Sequence, residues 1–389
     1  MSYVAALGLA AFFALCIHAL FRARDTDVGV QRANHKLQDA RYATPEDAAR
    51  LLAECCAECE KLAARSPRDV FILQVWGAAL WMRGKAALDE AADGFFAGAE
   101  ERFAAALEIR PDDIPLSVNR FWALWDRAAR HPGVLGKRHL EQICEECERL
   151  LILKPNAPAL LRFWGGSLCC LGTRTAWPEA DRLYREAEEK LLAVLAMTPD
   201  DPDVMSSLSN VSWRRSKERD GDEAKAFLLR SSEWLDKALV AKPSDAFALS
   251  SRAWVLFLRT KLLPGEETNR LLAEAADRFG AAGETDDADK LRQGWGVVLW
   301  AQARCAEGQE SRRLLEAAKE KLAAAESHEP RSAAYNLACV CAQLGEPGEC
   351  REWLEKSGEP GILVSREQMA KEDELAGVRE CEWFREMVG

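Results

Sequence analysis

Five prolines constrain this chain more than any other feature. Pro67, Pro111, Pro155, Pro199 and Pro243 follow one another at intervals of 44 residues. The next step falls at Asp286-Asp287, and the one after it beside Pro330. A fixed period of that size predicts a stacked array, in which each unit buries its apolar face against its neighbours in sequence. A length of 389 residues would by itself suggest two or three domains. The unbroken register argues instead for one array, and no alternating strand pattern interrupts it.

Each proline separates two helices. Twelve, eight and five residues before Pro111 stand Ala99, Phe103 and Ala106. The same offsets give Cys55, Cys59 and Leu62; Ile143, Cys147 and Leu150; Ala187, Leu191 and Val194; and Ser231, Leu235 and Ala238. Steps of four and three place these small or apolar residues on one helical face. Proline then ends the helix, because it has no N–H and disfavours helix in the residue before it. Asp112-Asp113, Asn156, Asp200-Asp201 and Ser244-Asp245 follow, as suits the N-terminus of a second helix. The unit is therefore a helical pair. Its A helices are expected to begin near Asp69, Asp113, Ala157, Asp201, Asp245, Asp287 and Arg331. The A–B loops are expected at Gly84, His131-Pro132-Gly133, Gly172, Asp220-Gly221, Pro264-Gly265, Gly308 and Gly345.

Within the A helices, Leu73, Trp76-Gly77 and Leu80 recur as Leu161, Trp164-Gly165 and Leu168. With the closing proline, this pattern resembles the tetratricopeptide repeat (TPR). The resemblance is strongest at Ala334, Leu337-Ala338, Cys341, Gly345, Cys350 and Leu354. The period is longer than the family's ~34 residues, which points to longer helices and loops. HEAT-like repeats are nearer in length but do not account for the Trp-Gly pairs or the proline. The resemblance implies an all-α, right-handed α-α superhelix: a TPR-like solenoid of seven to eight helical hairpins over residues 44–357. Residues 358–389 break the array at Gly358-Glu359-Pro360-Gly361. They resemble the segment that closes many bacterial TPR proteins, with Leu375, Val378, Phe384 and Met387 as capping contacts.

The N-terminus has a different character. Tyr3 to Phe21 carries no charge and one histidine, His18. These 19 residues are long enough as a helix to span a hydrocarbon core of ~30 Å. The expectation is a transmembrane signal-anchor over residues 1–24, membrane contact through residues 3–21, and over 25–43 a polar tether or a poorly formed first helix. A cleaved signal peptide is the rival, although no basic residue precedes the apolar run and no small-x-small site follows it. Arg22, Arg24, Arg32, Lys36 and Arg41 follow the span, which by the positive-inside rule places the body in the cytoplasm. Thirteen cysteines without a regular disulfide framework agree with a reducing compartment.

Little in the sequence points to chemistry. Cys56-Ala57-Glu58-Cys59 and Cys144-Glu145-Glu146-Cys147 each place two thiols on one helix face, and one such pair could supply two zinc ligands. The pairs stand two repeats apart, with three helices between them at ~8–10 Å each, so they cannot share one ion. Cys59 and Cys147 also stand at the offset filled by Phe103, a core position. His35, His131, His139 and His328 have no Ser, Cys or carboxylate partner at a recognisable spacing. No Gly-rich phosphate loop follows a strand. Neither a catalytic residue, a metal, a cofactor nor a small-molecule substrate is expected. The net charge of −11 is dispersed and leaves no basic stripe, which disfavours nucleic acid and anionic lipid as partners of the body.

The aromatic residues carry the remaining signal. Fourteen residues after the repeat prolines stand Trp81, Trp125, Cys169, Trp213 and Phe257. Eleven residues after stand Ala78, Trp122, Gly166, Asn210 and Trp254; seven after stand Gln74, Val118, Arg162, Ser206 and Ser250. These offsets share one face of helix A. The TPR resemblance implies that this face lines a concave groove, which gives Trp81, Trp122, Trp125, Arg162, Trp213, Trp254 and Phe257 as partner-binding candidates. The alternative is that tryptophans at helical spacing pack between neighbouring repeats. The sequence is thus read as a non-enzymatic, membrane-anchored scaffold that binds a peptide or helix of a protein partner. Two other readings stay open: a secreted or periplasmic TPR protein after signal cleavage, and a cysteine-based metal or redox regulator.

Overall fold

The structure, a computed structural model, describes residues 28–87, 91–131, 133–217, 219–262, 265–282, 288–328, 332–357 and 366–388. Among these residues there is no strand. Sixteen helices form eight successive hairpins: α1 (Val28–Asp39) with α2 (Pro45–Arg65), α3 (Val70–Ala86) with α4 (Ala91–Ile109), α5 (Ile114–Arg130) with α6 (Val134–Leu153), and α7 (Pro158–Gly172) with α8 (Glu179–Met197). Then come α9 (Pro202–Ser216) with α10 (Gly221–Ala241), α11 (Ala246–Leu262) with α12 (Glu266–Ala282), α13 (Ala288–Cys305) with α14 (Gly308–His328), and α15 (Ala334–Leu344) with α16 (Pro347–Lys356). The chain divides into two compact units, one ending at Met197 and the other beginning at Thr198. Within each unit, every helix packs on the next in sequence, and successive A helices also touch.

The proline register works through capping. Two residues beyond Pro67, Pro111, Pro199 and Pro243 stand Asp69, Asp113, Asp201 and Asp245. Each carboxylate accepts hydrogen bonds from backbone N–H groups of the first A-helix turn, as from Phe71 at 2.9 Å, Leu116 at 3.1 Å, Asp203 at 3.1 Å and Ala248 at 2.8 Å. These bonds satisfy donors that no preceding turn can reach.

Hairpin packing rests on a second register that the single-helix pattern does not reveal. Arg102, Lys190 and Lys321 lie 4.1, 4.3 and 4.8 Å above the rings of Trp76, Trp164 and Trp295. In each pair the cation follows its tryptophan by 26 residues. The glycine after each tryptophan meets the residue after each cation. A Cβ on Gly77 would lie 2.7 Å from Phe103 Cε1, one on Gly165 2.8 Å from Leu191 Cγ, and one on Gly296 2.6 Å from Leu322 Cγ. The Trp-Gly pairs are therefore hairpin locks. The glycine lets a large side chain of helix B approach the backbone of helix A, and the cation covers the indole face.

Several expectations require correction. Residues 25–43 are not a tether throughout, because Val28–Asp39 is helix α1. It buries Val30, Ala33 and Leu37, and the Cys55 thiol on α2 donates to the Ala33 carbonyl at 3.1 Å. The three apolar residues form a stripe at i, i+3 and i+7, enough to dock a short helix on α2 and α3. Gly84 is not in a loop. It lies inside α3, where a Cβ would stand 2.6 Å from Phe96 Cε1. Gly221, Gly308 and Gly345 do adopt positive φ (59°, 58° and 77°) at their turns.

After α16, the described chain resumes with α17 (Arg366–Lys371), a 3₁₀ turn (Asp373–Val378) and α18 (Glu382–Val388). The 3₁₀ turn packs on α15, with Leu375, Val378 and, further on, Phe384 buried, whereas Met387 is half-buried. No helix among the described residues is long and apolar enough to cross a membrane. The apolar run 3–21, read as an anchor, lies outside the described residues.

Candidate partner-binding site

The A helices of the first unit bring the predicted aromatics into different settings. Trp81 on α3 is 5% exposed, and its indole N–H donates to Asp126 Oδ2 on α5 at 2.8 Å. Lys85 Nζ, one turn further along α3, donates to the other carboxylate oxygen at 3.2 Å. Burial pushes the Asp126 carboxyl above its usual range, although Lys85 and Trp81 pull the other way. Trp81 is thus a bond between neighbouring A helices and offers a partner almost no surface.

Trp122 and Trp125 on α5 are half-buried. Both turn an edge toward Phe163 of α7, with ring centroids 4.6 and 6.2 Å away, and Phe121 joins them at 5.5 Å. The Trp122 indole N–H is covered and has no hydrogen-bond partner. Trp125 lies over Gly166, where a Cβ would stand 2.8 Å from the ring. Arg162 on α7 is half-buried.

In the second unit the aromatics form one chain. Trp213 on α9 stands edge-on to Trp254 on α11 at 6.4 Å. Trp254 stacks on Phe257 at 5.4 Å with 19° between the planes, and Phe257 meets Trp300 of α13 at 4.4 Å. Trp213 and Trp254 are half-buried, while Phe257 is 2% exposed. Arg214 and Lys217 lie 4.6 and 5.2 Å from the Trp213 ring. The row ends where the Trp300 indole donates to Gln343 at 3.2 Å and Arg304 donates to the buried Glu374 carboxylate at 2.8 Å.

Of the seven candidates, two are therefore packing residues, Trp81 and Phe257. The other five (Trp122, Trp125, Arg162, Trp213 and Trp254) keep part of their surface. Two contributors were missed by sequence reading. Trp300 follows Asp286 by fourteen residues, so it belongs to the same row with the register one residue short of the 44-residue step, at a place without proline. Phe163 stands at an offset that the row does not include.

Most of the described cysteines occupy core positions, whereas Cys305 is exposed and Cys144, Cys170 and Cys381 are half-buried. Cys59 and Cys147 are 1% and 0% exposed, and Cys147 packs with Phe121, Ile143 and Leu150. Burial pushes the Cys144, Cys341 and Cys350 thiols up to about 12, far from a reactive thiolate. Among the described residues, the one cluster with metal-ligating groups close together is Cys341, Glu346 and Glu349. Lys319 Nζ already lies 2.8 Å from Glu346 and 2.7 Å from Glu349.

No protein-family model matches this sequence, and no curated protein does. Solved structures do resemble it. Yeast Tom70 is 14% identical over 86% of this chain and 61% of its own, with a TM-score of 0.52. A tetratricopeptide repeat protein from Parabacteroides merdae is 14% identical over 84% of this chain and 99% of its own, with a TM-score of 0.48. The human IFIT1 dimer with m7Gppp-AAAA is 15% identical over 90% of this chain and 74% of its own, also with a TM-score of 0.48. The fold is a TPR-like array of helical hairpins.

Proposed function

We propose that this chain is a non-enzymatic interaction scaffold that receives a peptide or helix of a protein partner on the A-helix faces. The observation that carries this reading is the incomplete burial of Trp122 and Trp125 in one unit, and of Trp213 and Trp254 in the other. Half-exposed tryptophans on a rigid scaffold are costly to leave in water and are the residue type that dominates interface energies. Arg162 and Arg214 stand on the same faces, and arginine is enriched in such interfaces for the same reason. A TPR-like fold agrees with this function without specifying it. The membrane attachment read at residues 3–21 is not required for it, and no described helix supports that attachment.

The test pairs the full chain with Trp122→Ala/Trp254→Ala. Cross-linked capture from the native host identifies proteins lost from the variant, and titration of a purified candidate measures the change. The expected result is loss of a specific partner and at least tenfold weaker binding, with helicity unchanged. Equal capture and equal affinity for a folded variant would sink the reading.

A further inference from the structure

Two of the chain's five histidines meet at one junction of the first unit. His139 on α6 is 5% exposed. Its Nδ1 lies 3.5 Å from Gln142 Oε1, and its Nε2 is buried without a hydrogen-bond partner. The charged and titratable groups acting on the ring are Arg127 of α5, His131 just beyond the end of α5, and Glu100 of α4. The Glu100 carboxylate is already engaged on both oxygens, by Arg120 at 3.1 Å and Arg127 at 2.8 Å. Asp93 on α4 is shared as well, 3.5 Å from Arg127 Nε and 3.0 Å from His131 Nε2. Helix α7, on the other flank of α6, sets Cys170 near Cys144, five residues along from His139.

We propose that this junction is an acid-responsive hinge: a proton on His139 loosens α6 from α5 and frees the aromatic side chains that α5 carries. The reason is geometric. A protonated ring would place a buried cation near the half-buried Arg127, with a buried N–H donor that nothing accepts and with the Glu100 carboxylate already committed. Such a group costs far more than a neutral one. Burial, and then the charge of Arg127, hold the imidazole below its ordinary 6.5. The sign follows from linkage. The folded junction refuses a proton that the opened segment accepts, so its stability falls as pH drops below 6.5. The loss stops once the pH lies below the folded value. The hinge is independent of what, if anything, docks on α5.

Hydrogen exchange read by mass spectrometry on the full chain at pH 7.5 and 5.5, corrected for intrinsic exchange rates, tests this. Peptides from 114–131 and 134–153 should open more at the lower pH, by up to about tenfold, the most that the single pH unit between 6.5 and 5.5 allows. Peptides from 308–328 should not follow. His139→Gln should abolish the response, and His131→Gln should keep it. An equal response in the wild type and His139→Gln would overturn the hinge, as would an equal response in the second unit. If His139→Gln does not fold at pH 7.5, a chain whose other four histidines are replaced by glutamine is titrated by NMR. A His139 midpoint at or above 6.5 then overturns the hinge, and a lower one with broadened α5 signals supports it.

Discussion

Replacing Gly77 by alanine isolates the force that closes the hairpins. Two effects oppose each other. Alanine inside a helix is favoured over glycine by about 1 kcal/mol. Against this, the new Cβ would lie 2.7 Å from Phe103 Cε1 and 2.9 Å from Cδ1 and Cζ. Phe103 is 0% exposed, so its ring has no free space to retreat into. Overpacking of this kind costs about 1–3 kcal/mol. The chain supplies its own control in Gly94 on the facing helix α4, where an added Cβ meets nothing within 4 Å. Gly94→Ala should therefore show the propensity gain alone, about 1 kcal/mol. The two variants should differ by the overpacking cost, about 1–3 kcal/mol, a factor of roughly 5 to 150 in the opening constant. Two units make a single global transition doubtful, so the assay is local: hydrogen exchange of peptides spanning 70–109 in the full chain. Adding Phe103→Leu to Gly77→Ala should recover at least ~0.5 kcal/mol beyond additivity, because the two residues touch. Gly77→Ala as well protected as Gly94→Ala would refute the lock.

One further substitution and one chemical treatment probe the rest of the array. Trp81→Phe keeps the ring but removes the N–H that Asp126 accepts. It should cost about 1–3 kcal/mol of local stability in α3 and α5, read by the same exchange measurement, and no loss would mean that the bond is not made in solution. Thiol titration with a chromogenic disulfide at pH 7.5 should leave the buried Cys59, Cys147, Cys341 and Cys350 unmodified until urea is added. Rapid native reaction at Cys147 would revive a redox role for that pair.

What could be read from the sequence was what local chemistry decides. The aspartates that cap the A helices stand two residues beyond the prolines, and neither stacking nor partner is needed to see it. Helix α1 was also available in principle. Carrying the 44-residue step back from Pro67 reaches position 23, and Val30, Ala33 and Leu37 then fall at the offsets of Gln74, Gly77 and Trp81. The sequence left it open between a tether and a poorly formed helix, because no proline stands at that step and a stripe of three residues is short. Gly84 misled for a physical reason. Glycine breaks an isolated helix, and only contact with Phe96 on another helix shows why it is kept inside this one. The setting of Trp81 and Phe257 was likewise hidden, since the offset that turns a side chain toward a groove also turns it toward the next A helix.

The hairpin locks supply a way to separate the two kinds of tryptophan. Volume is traded across these hairpins: Gly77 faces Phe103 and Gly165 faces Leu191, but in the hairpin between them the bulk changes sides, with Phe121 on α5 and Cys147 on α6. Where glycine takes the A-helix side, the preceding tryptophan is drawn under a lysine or arginine 26 residues later, so Trp76, Trp164 and Trp295 are committed to their own hairpins. Where the A-helix side is bulky, no glycine opens the backbone and the tryptophan follows one residue further on, as Trp122 follows Phe121. Trp122 then stands eleven residues after its proline where Trp76 stands nine after its own, a two-residue step of about 200° around the helix, away from helix B and toward the neighbouring A helix, where Trp122 meets Phe163 and remains half-buried. A tryptophan followed by glycine, with a cation 26 positions later, is therefore spent on packing inside its hairpin. Among the row's tryptophans without that pair, Trp81 and Trp300 are buried in bonds to the next A helix, whereas Trp122, Trp125, Trp213 and Trp254 stay half-buried, and the search for a partner begins with those four.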